Sequence, residues 1–78
     1  MTLRKSQVNL LSVKEFANAC QTTPRTLRFY DQKSVLKPYK IDNWNKYRYY
    51  HPDQVLDFAR IKLLQTFNLS INEIGQLK

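Results

Sequence analysis

Thr23-Pro24-Arg25-Thr26-Leu27-Arg28-Phe29-Tyr30 is a short helix with a start signal, an apolar stripe and a cationic stripe. The Thr23 hydroxyl can accept from the free backbone N–H groups of the first turn. Pro24 suits the first helical position, where its missing N–H costs nothing. At about 100° per residue, Arg25, Arg28, Phe29 and Gln32 share one face, while Leu27, Tyr30 and Ser34 share another. A helix that buries one stripe and presents two arginines on the other is suited to lie against an anion.

The segment just before it supplies a partner helix. Ser12-Val13-Lys14-Glu15 is a capping box, with Leu11 and Phe16 placed as a hydrophobic staple. Val13, Phe16, Ala17 and Cys20 then form one buried stripe at helical spacing. Only Gln21 and Thr22 separate this helix from the Thr23 cap, which predicts a helix-turn-helix. The tight turn has no glycine, so Gln21 is expected in a left-handed backbone conformation.

Downstream, Lys37-Pro38 ends the helical region. Tyr39-Lys40-Ile41 and Lys46-Tyr47-Arg48-Tyr49-Tyr50 favour strand, with Asp42-Asn43-Trp44-Asn45 a turn between them. The reading is a two-stranded wing, which must lean on the helices because a lone hairpin is marginal in water. His51-Pro52-Asp53 opens a third helix running to about Phe67; its apolar residues cover more than one stripe, predicting a helix touched on two sides. Ser70-Ile71-Asn72-Glu73 is a second capping box and opens a short fourth helix with Ile71, Ile74 and Leu77 on its apolar side. The predicted fold is therefore mainly α with a small β-hairpin: a winged helix-turn-helix followed by a helical pair. A polar arm, residues 1–10, precedes the domain at 11–78.

Composition narrows the function. Seventy-eight residues with a formal charge of +7 make one small domain, and such a chain buries only about 60% of its unfolded surface. An enclosed substrate pocket is not expected. Seven basic residues lie between Arg25 and Arg48 against two acids, Asp31 and Asp42, and all five tyrosines and the only tryptophan fall between Tyr30 and Tyr50. Basic residues interleaved with aromatics point to a nucleic-acid face. No apolar run of about 18 residues spans a membrane, and the polar stretch from Met1 to Gln7 is unlike a secretory signal. A single Cys20 and a single His51 cannot close a metal site, and Gly75, the only glycine, rules out a Gly-rich phosphate loop. Cys20 reads as a buried thiol and His51 as a capping or structural residue. The carboxylates are scattered over predicted caps and helix faces, so no enzyme, cofactor or metal is expected.

The order of blocks resembles the DNA-binding domain of the mercury-resistance-regulator (MerR) family of bacterial transcription regulators. The resemblance runs from Leu11 to Leu77. It is carried by Arg25-Thr26-Leu27-Arg28-Phe29-Tyr30-Asp31, Val35-Leu36-Lys37-Pro38, Tyr47-Arg48-Tyr49-Tyr50 and Leu69-Ser70-Ile71-Asn72-Glu73-Ile74. It implies promoter binding as a two-fold dimer that distorts the DNA, with RNA polymerase as an expected further partner and the cytoplasm, on the nucleoid, as the location. It also implies a long dimerisation helix and a sensor beyond the fourth helix. The 78 residues are expected to stop short of both and to be monomeric alone. Gln21, Lys46 and Asn68 stand where the family usually has glycine, from which altered turn geometry is expected.

On this reading the second helix enters the major groove, which is wide enough for an α-helix. Arg25 is the candidate base reader, matched to guanine O6 and N7, against a phosphate contact as the plainer role. Arg28 is a candidate phosphate clamp. Thr23 and Thr26 stand at the helix start, where Thr26 can reach a base methyl or a phosphate. Phe29 either contacts DNA or packs on the wing, and Tyr30 is core with its hydroxyl at the rim. Lys40, Lys46 and Arg48 are expected on the flanking backbone or a minor groove, with Tyr39, Tyr47 and Tyr49 able to donate hydroxyls to phosphates. Trp44, at the hairpin tip, either contacts DNA or a partner or folds back onto the hairpin. Two other classes fit the same charge and fold: a stand-alone excisionase-like or architectural DNA-bending factor, and a winged-helix module that binds an acidic protein.

Overall fold

The computed structural model describes residues 9–77. Most of the predicted polar arm lies outside the described residues. The elements are β1 (Leu11–Ser12), α1 (Val13–Ala19), α2 (Pro24–Gln32), β2 (Lys40–Ile41), β3 (Arg48–Tyr50), α3 (Gln54–Thr66) and α4 (Ile71–Gln76).

Both capping boxes form. The Glu15 N–H donates to Ser12 Oγ at 3.1 Å and the Ser12 N–H to Glu15 Oε1 at 2.9 Å; Ser70 and Glu73 repeat the pattern at 3.1 and 3.0 Å. Each reciprocal pair satisfies two backbone donors that a helix start would leave orphaned. His51 plays the structural role, tying the turn before α3, which has no side-chain cap of its own. The His51 N–H donates to Gln54 Oε1 at 2.8 Å, while His51 Nδ1 accepts from the Asp53 N–H at 3.0 Å. His51, Pro52 and Asp53 therefore form a turn, and α3 begins only at Gln54.

The wing is not two-stranded. β1 adds a third strand, in the antiparallel order β1-β3-β2, with Leu11 opposite Tyr50, Ser12 opposite Tyr49, Lys40 opposite Tyr49 and Ile41 opposite Arg48. β3 is thereby hydrogen-bonded along both edges, which relieves the weakness of an isolated hairpin. Two residues, the second of them the helix cap itself, carry no strand periodicity, so β1 has no sequence signature.

The core joins the three parts. Phe16, Ala17, Leu27, Tyr30, Val35, Leu36, Tyr50, Phe58, Ile61 and Ile74 are buried together. Phe16 of α1 stacks on Tyr50 of β3 at 4.3 Å between centroids, and Tyr30 of α2 packs on Phe58 of α3 at 5.7 Å. Aromatic pairs of this kind add about 0.5–1.5 kcal/mol beyond their buried area. Cys20 packs half-buried against this core, and burial raises its thiol pKa. α3 departs from expectation: Phe58 and Ile61 are buried, but Leu56, Leu63 and Phe67 are exposed, so one side of the helix is packed rather than two.

Four non-glycine residues have left-handed backbone: Gln21 (φ 55°), Ser34 (φ 57°), Lys46 (φ 64°) and Asn68 (φ 65°). Gln21, Lys46 and Asn68 are the three positions noted above as lacking glycine. The altered turn geometry expected there is not found: the turns keep the conformation a glycine would favour, and the side chains carry its strain. Ser34 follows α2, where its N–H donates to the Asp31 carbonyl at 3.0 Å.

Candidate nucleic-acid interface

α2 is positioned from both sides. Leu27 and Tyr30 are buried, and the Tyr30 hydroxyl donates to Gln65 Oε1 of α3 at 3.2 Å. Tyr30 is thus a core residue at 3% exposure, so it sets the helix in place from beneath rather than touching nucleic acid itself. At the helix start, the Thr26 N–H donates to Thr23 Oγ1 at 3.2 Å. The Thr23 hydroxyl in turn donates to Thr26 Oγ1 at 3.1 Å. That bond occupies the Thr23 proton and leaves the Thr26 proton available to an outside acceptor.

The outward face is as the periodicity predicts. Arg25, Arg28, Phe29 and Gln32 line one open cleft of about 320 Å3. Phe29 is 43% exposed, tilted at 6.3 Å from Tyr30, with Lys33 Nζ 5.8 Å from its centroid. Phe29 therefore packs within α2 and not on the wing. Among the described residues, Arg25 and Arg28 pair with no carboxylate. They are two exposed guanidiniums one turn apart, free for an external anion.

Asp31 joins this helix to the wing. Arg48 Nε donates to Asp31 Oδ2 at 3.2 Å, and Lys37 Nζ to Asp31 Oδ1 at 3.4 Å. The sequence placed Arg48 on a DNA backbone beside Lys40 and Lys46. In the structure its guanidinium is already committed to Asp31, because Arg48 shares the strand face of buried Tyr50, on the core side of the wing. Lys40 and Lys46 stay exposed and without ion-pair partners among the described residues. Tyr47 is exposed and Tyr49 half-buried, and Tyr39 sits at 5.2 Å from the His51 ring.

A second groove, of about 500 Å3, runs between the start of α1 and the wing. Ser12, Val13 and Lys14 form one side; Lys46, Tyr47, Arg48 and Tyr49 form the other. Sequence reasoning missed Lys14, Lys37, Asp31 and Gln32 as members of this surface. Gln32 alone had a signal, its place on the arginine face. The others become neighbours only through the β1–β3 pairing and the return of the chain from wing to helix.

The tip of the wing is built on Asp42. Asp42 Oδ1 accepts from the Trp44 N–H at 2.7 Å and the Asn45 N–H at 3.1 Å. Donation from the Asn45 and then the Trp44 backbone lowers the Asp42 pKa. Trp44 is 95% exposed, so it does not fold back onto the hairpin. Among the described residues, no group of three or more His, Cys, Asp or Glu is placed to hold a metal ion, and no helix is long and apolar enough to cross a membrane.

The family described as MerR HTH family regulatory protein matches residues 11–78. The chain is 30% identical over 69 residues to the transcriptional regulator BrlR of Pseudomonas aeruginosa, covering 88% of this chain and 26% of BrlR. It thus spans about a quarter of the length of the curated relative it matches. Among solved structures, it is similar to HiNmlR, a MerR family regulator lacking the sensor domain, bound to promoter DNA, with a TM-score of 0.78 at 19% identity over 88% of this chain and 54% of that one. It is similar to a MerR family transcriptional regulator from Bacillus cereus, with a TM-score of 0.74 at 28% identity over 88% and 51%. The third likeness is to EcmrR in the EcmrR-DNA complex of EcmrR-RPo, with a TM-score of 0.80 at 33% identity over 85% and 25%.

Proposed function

The chain belongs to the MerR HTH family of regulatory proteins, and from that premise we propose that it is the promoter-reading module of a bacterial transcription regulator. α2 lies in the major groove of double-stranded DNA. Arg25 donates to a guanine edge, Arg28 clamps a phosphate, and Thr26 contacts a base methyl or phosphate beside them. Lys40 and Lys46, with the hydroxyls of Tyr39, Tyr47 and Tyr49, hold the flanking backbone, and Arg48 fixes the wing to α2.

One observation carries this reading. Arg25, Arg28, Phe29 and Gln32 line a single open cleft on a helix whose opposite stripe is buried. Bidentate arginine recognition needs such an exposed, unpaired fork on a fixed element. The domain presents one such helix and so reads half of a two-fold site, with a second copy supplying the other half in the full-length regulator. RNA polymerase is the partner at the promoter, and the cytoplasm is where both are met. The rest of the reading is DNA binding alone, with no catalytic step.

The test is selection of duplexes from a random-sequence library, followed by titration of the recovered site at several salt concentrations. Recovery of a consensus, and a linear fall of log affinity with log salt, support the reading. Salt-independent binding, or none, would falsify it.

A further inference from the structure

Among the described residues Trp44 is the most exposed of the large apolar side chains, and neither the core nor the recognition helix uses it. It is 95% exposed, yet the backbone beneath it is tightly tied. Asp42 Oδ1 accepts from the Trp44 and Asn45 N–H groups. The Asp42 carbonyl accepts from the Lys46 N–H at 2.8 Å, and Asn45 Oδ1 accepts from the Tyr47 N–H at 2.8 Å. Lys46 closes the loop in a strained left-handed conformation. A fixed loop that offers an indole to water leaves an apolar surface to be covered by something else.

Its neighbours say what. Lys40 and Lys46 flank the tip as unpaired cations, and the carboxylate of Asp42, the tip's only acid, is turned onto backbone amides. Asn43 and Asn45 stand either side of Trp44, and the Asn45 oxygen is taken up, leaving its amide hydrogens free to donate. Donors beside an apolar ring in a positive field match a duplex minor groove, whose A·T edges present only acceptors. The groove is about 6 Å wide, too narrow for a helix but open to a ring entering edge-on. The Asp31–Arg48 bond fixes the wing to α2, so a module with α2 in a major groove carries its wing over the neighbouring groove.

We infer that Trp44 is a minor-groove wedge, inserting its indole at an A·T-rich step beside the half-site and favouring DNA that deforms there. This rests on the DNA-binding reading above and adds a second, shape-dependent source of sequence preference.

The only tryptophan of the chain reports on itself. The probe is the duplex recovered by selection, titrated into the full chain while indole emission and labelled-duplex anisotropy are read together. The expected results are quenched emission at saturation and about tenfold weaker binding by Trp44→Ala, as for loss of one stacked base. The salt slope should be unchanged and Trp44→Phe should keep most of the affinity. G·C pairs placed under the wing should weaken the wild type, and inosine·C pairs, which lack the minor-groove amino group, should restore it. Trp44→Ala should be indifferent to both. The position is so exposed that the variant keeps its circular-dichroism melting curve. Unchanged emission with the duplex bound, full-strength binding by Trp44→Ala, or equal damage from G·C and inosine·C overturns the wedge and leaves the DNA reading standing. Emission that changes with protein concentration alone assigns Trp44 to contact between copies and also overturns it. A wild-type chain that binds no duplex overturns both.

Discussion

Arg48 of β3 donates its Nε–H to Asp31 Oδ2 near the end of α2, at 3.2 Å. Asp31 has 15% of its side chain exposed and Arg48 has 40%. The bond is charge-assisted yet partly open to water, so its worth to stability is small, about 0–1 kcal/mol. Its consequence lies in geometry: the reading helix and the wing hold a fixed relation.

Asp31→Asn releases Arg48, and Lys37 with it. Stability should fall by less than about 1 kcal/mol. Duplex binding should become tighter but less selective, because two cations are freed for phosphates while the wing loses its anchor. The salt slope is expected to steepen by up to about two. Affinities for the selected and a scrambled duplex, measured across salt, check this; an unchanged ratio between them would remove the positioning role.

Arg25→Ala and Lys46→Ala separate reading from holding. Arg25→Ala should lose roughly 1–3 kcal/mol on the selected site and relax preference at one position. Lys46→Ala should weaken every duplex alike and lower the salt slope by about one. If both variants behave as Lys46→Ala does, Arg25 is a phosphate contact.

The left-handed residues give a stability test with a defined order. A non-glycine residue in this region carries about 1–2 kcal/mol of strain, part of which glycine returns as unfolded-state entropy. Gln21→Gly should therefore raise stability by up to about 1 kcal/mol, or about 4–8 °C in Tm for a domain of this size. Asn68→Gly should gain less, since Asn tolerates the conformation better. Lys46→Gly should raise Tm and still lose affinity for DNA. Thermal melts of the three variants decide it.

The two capping boxes set a pH dependence. Backbone and then side-chain hydrogen bonds from Ser12 and Ser70 lower the pKa of Glu15 and Glu73 below their ordinary value of 4.5. A carboxylate whose folded pKa is depressed binds its proton more readily in the unfolded chain. Its contribution is therefore complete above about 4.5 and is lost as pH falls through the lower folded value. Denaturant midpoints should drop on acidification in that range, and Glu15→Gln with Glu73→Gln should flatten the drop. An equally steep drop in the double variant would exclude the caps as its source.

The local signals were legible because their causes are local. Ser12, Thr23 and Ser70 cap the helices they precede, and Leu27 and Tyr30 fall opposite Arg25 and Arg28, because both patterns depend only on a few neighbouring residues and the helical period. Even the left-handed backbone at Gln21 followed from the shortness of a turn. The same locality explains the resemblance across the blocks from Arg25 to Ile74. It also explains the errors: a two-residue strand has no period to read, and strand alternation alone does not say whether Arg48 or Tyr49 faces the core.

The sequence by itself determined four helices, three of them with side-chain caps, a basic aromatic hairpin and an arginine face, since propensity, capping and periodicity act over a turn or two of chain. Only the tertiary structure decided that β1 completes the sheet, that Arg48 is held by Asp31, that Tyr30 bonds Gln65 and that Trp44 stands in water. The pairings among these join distant positions, as Asp31 and Arg48 lie 17 positions apart. They are settled by which surfaces the packed core leaves adjacent, and no local pattern records that.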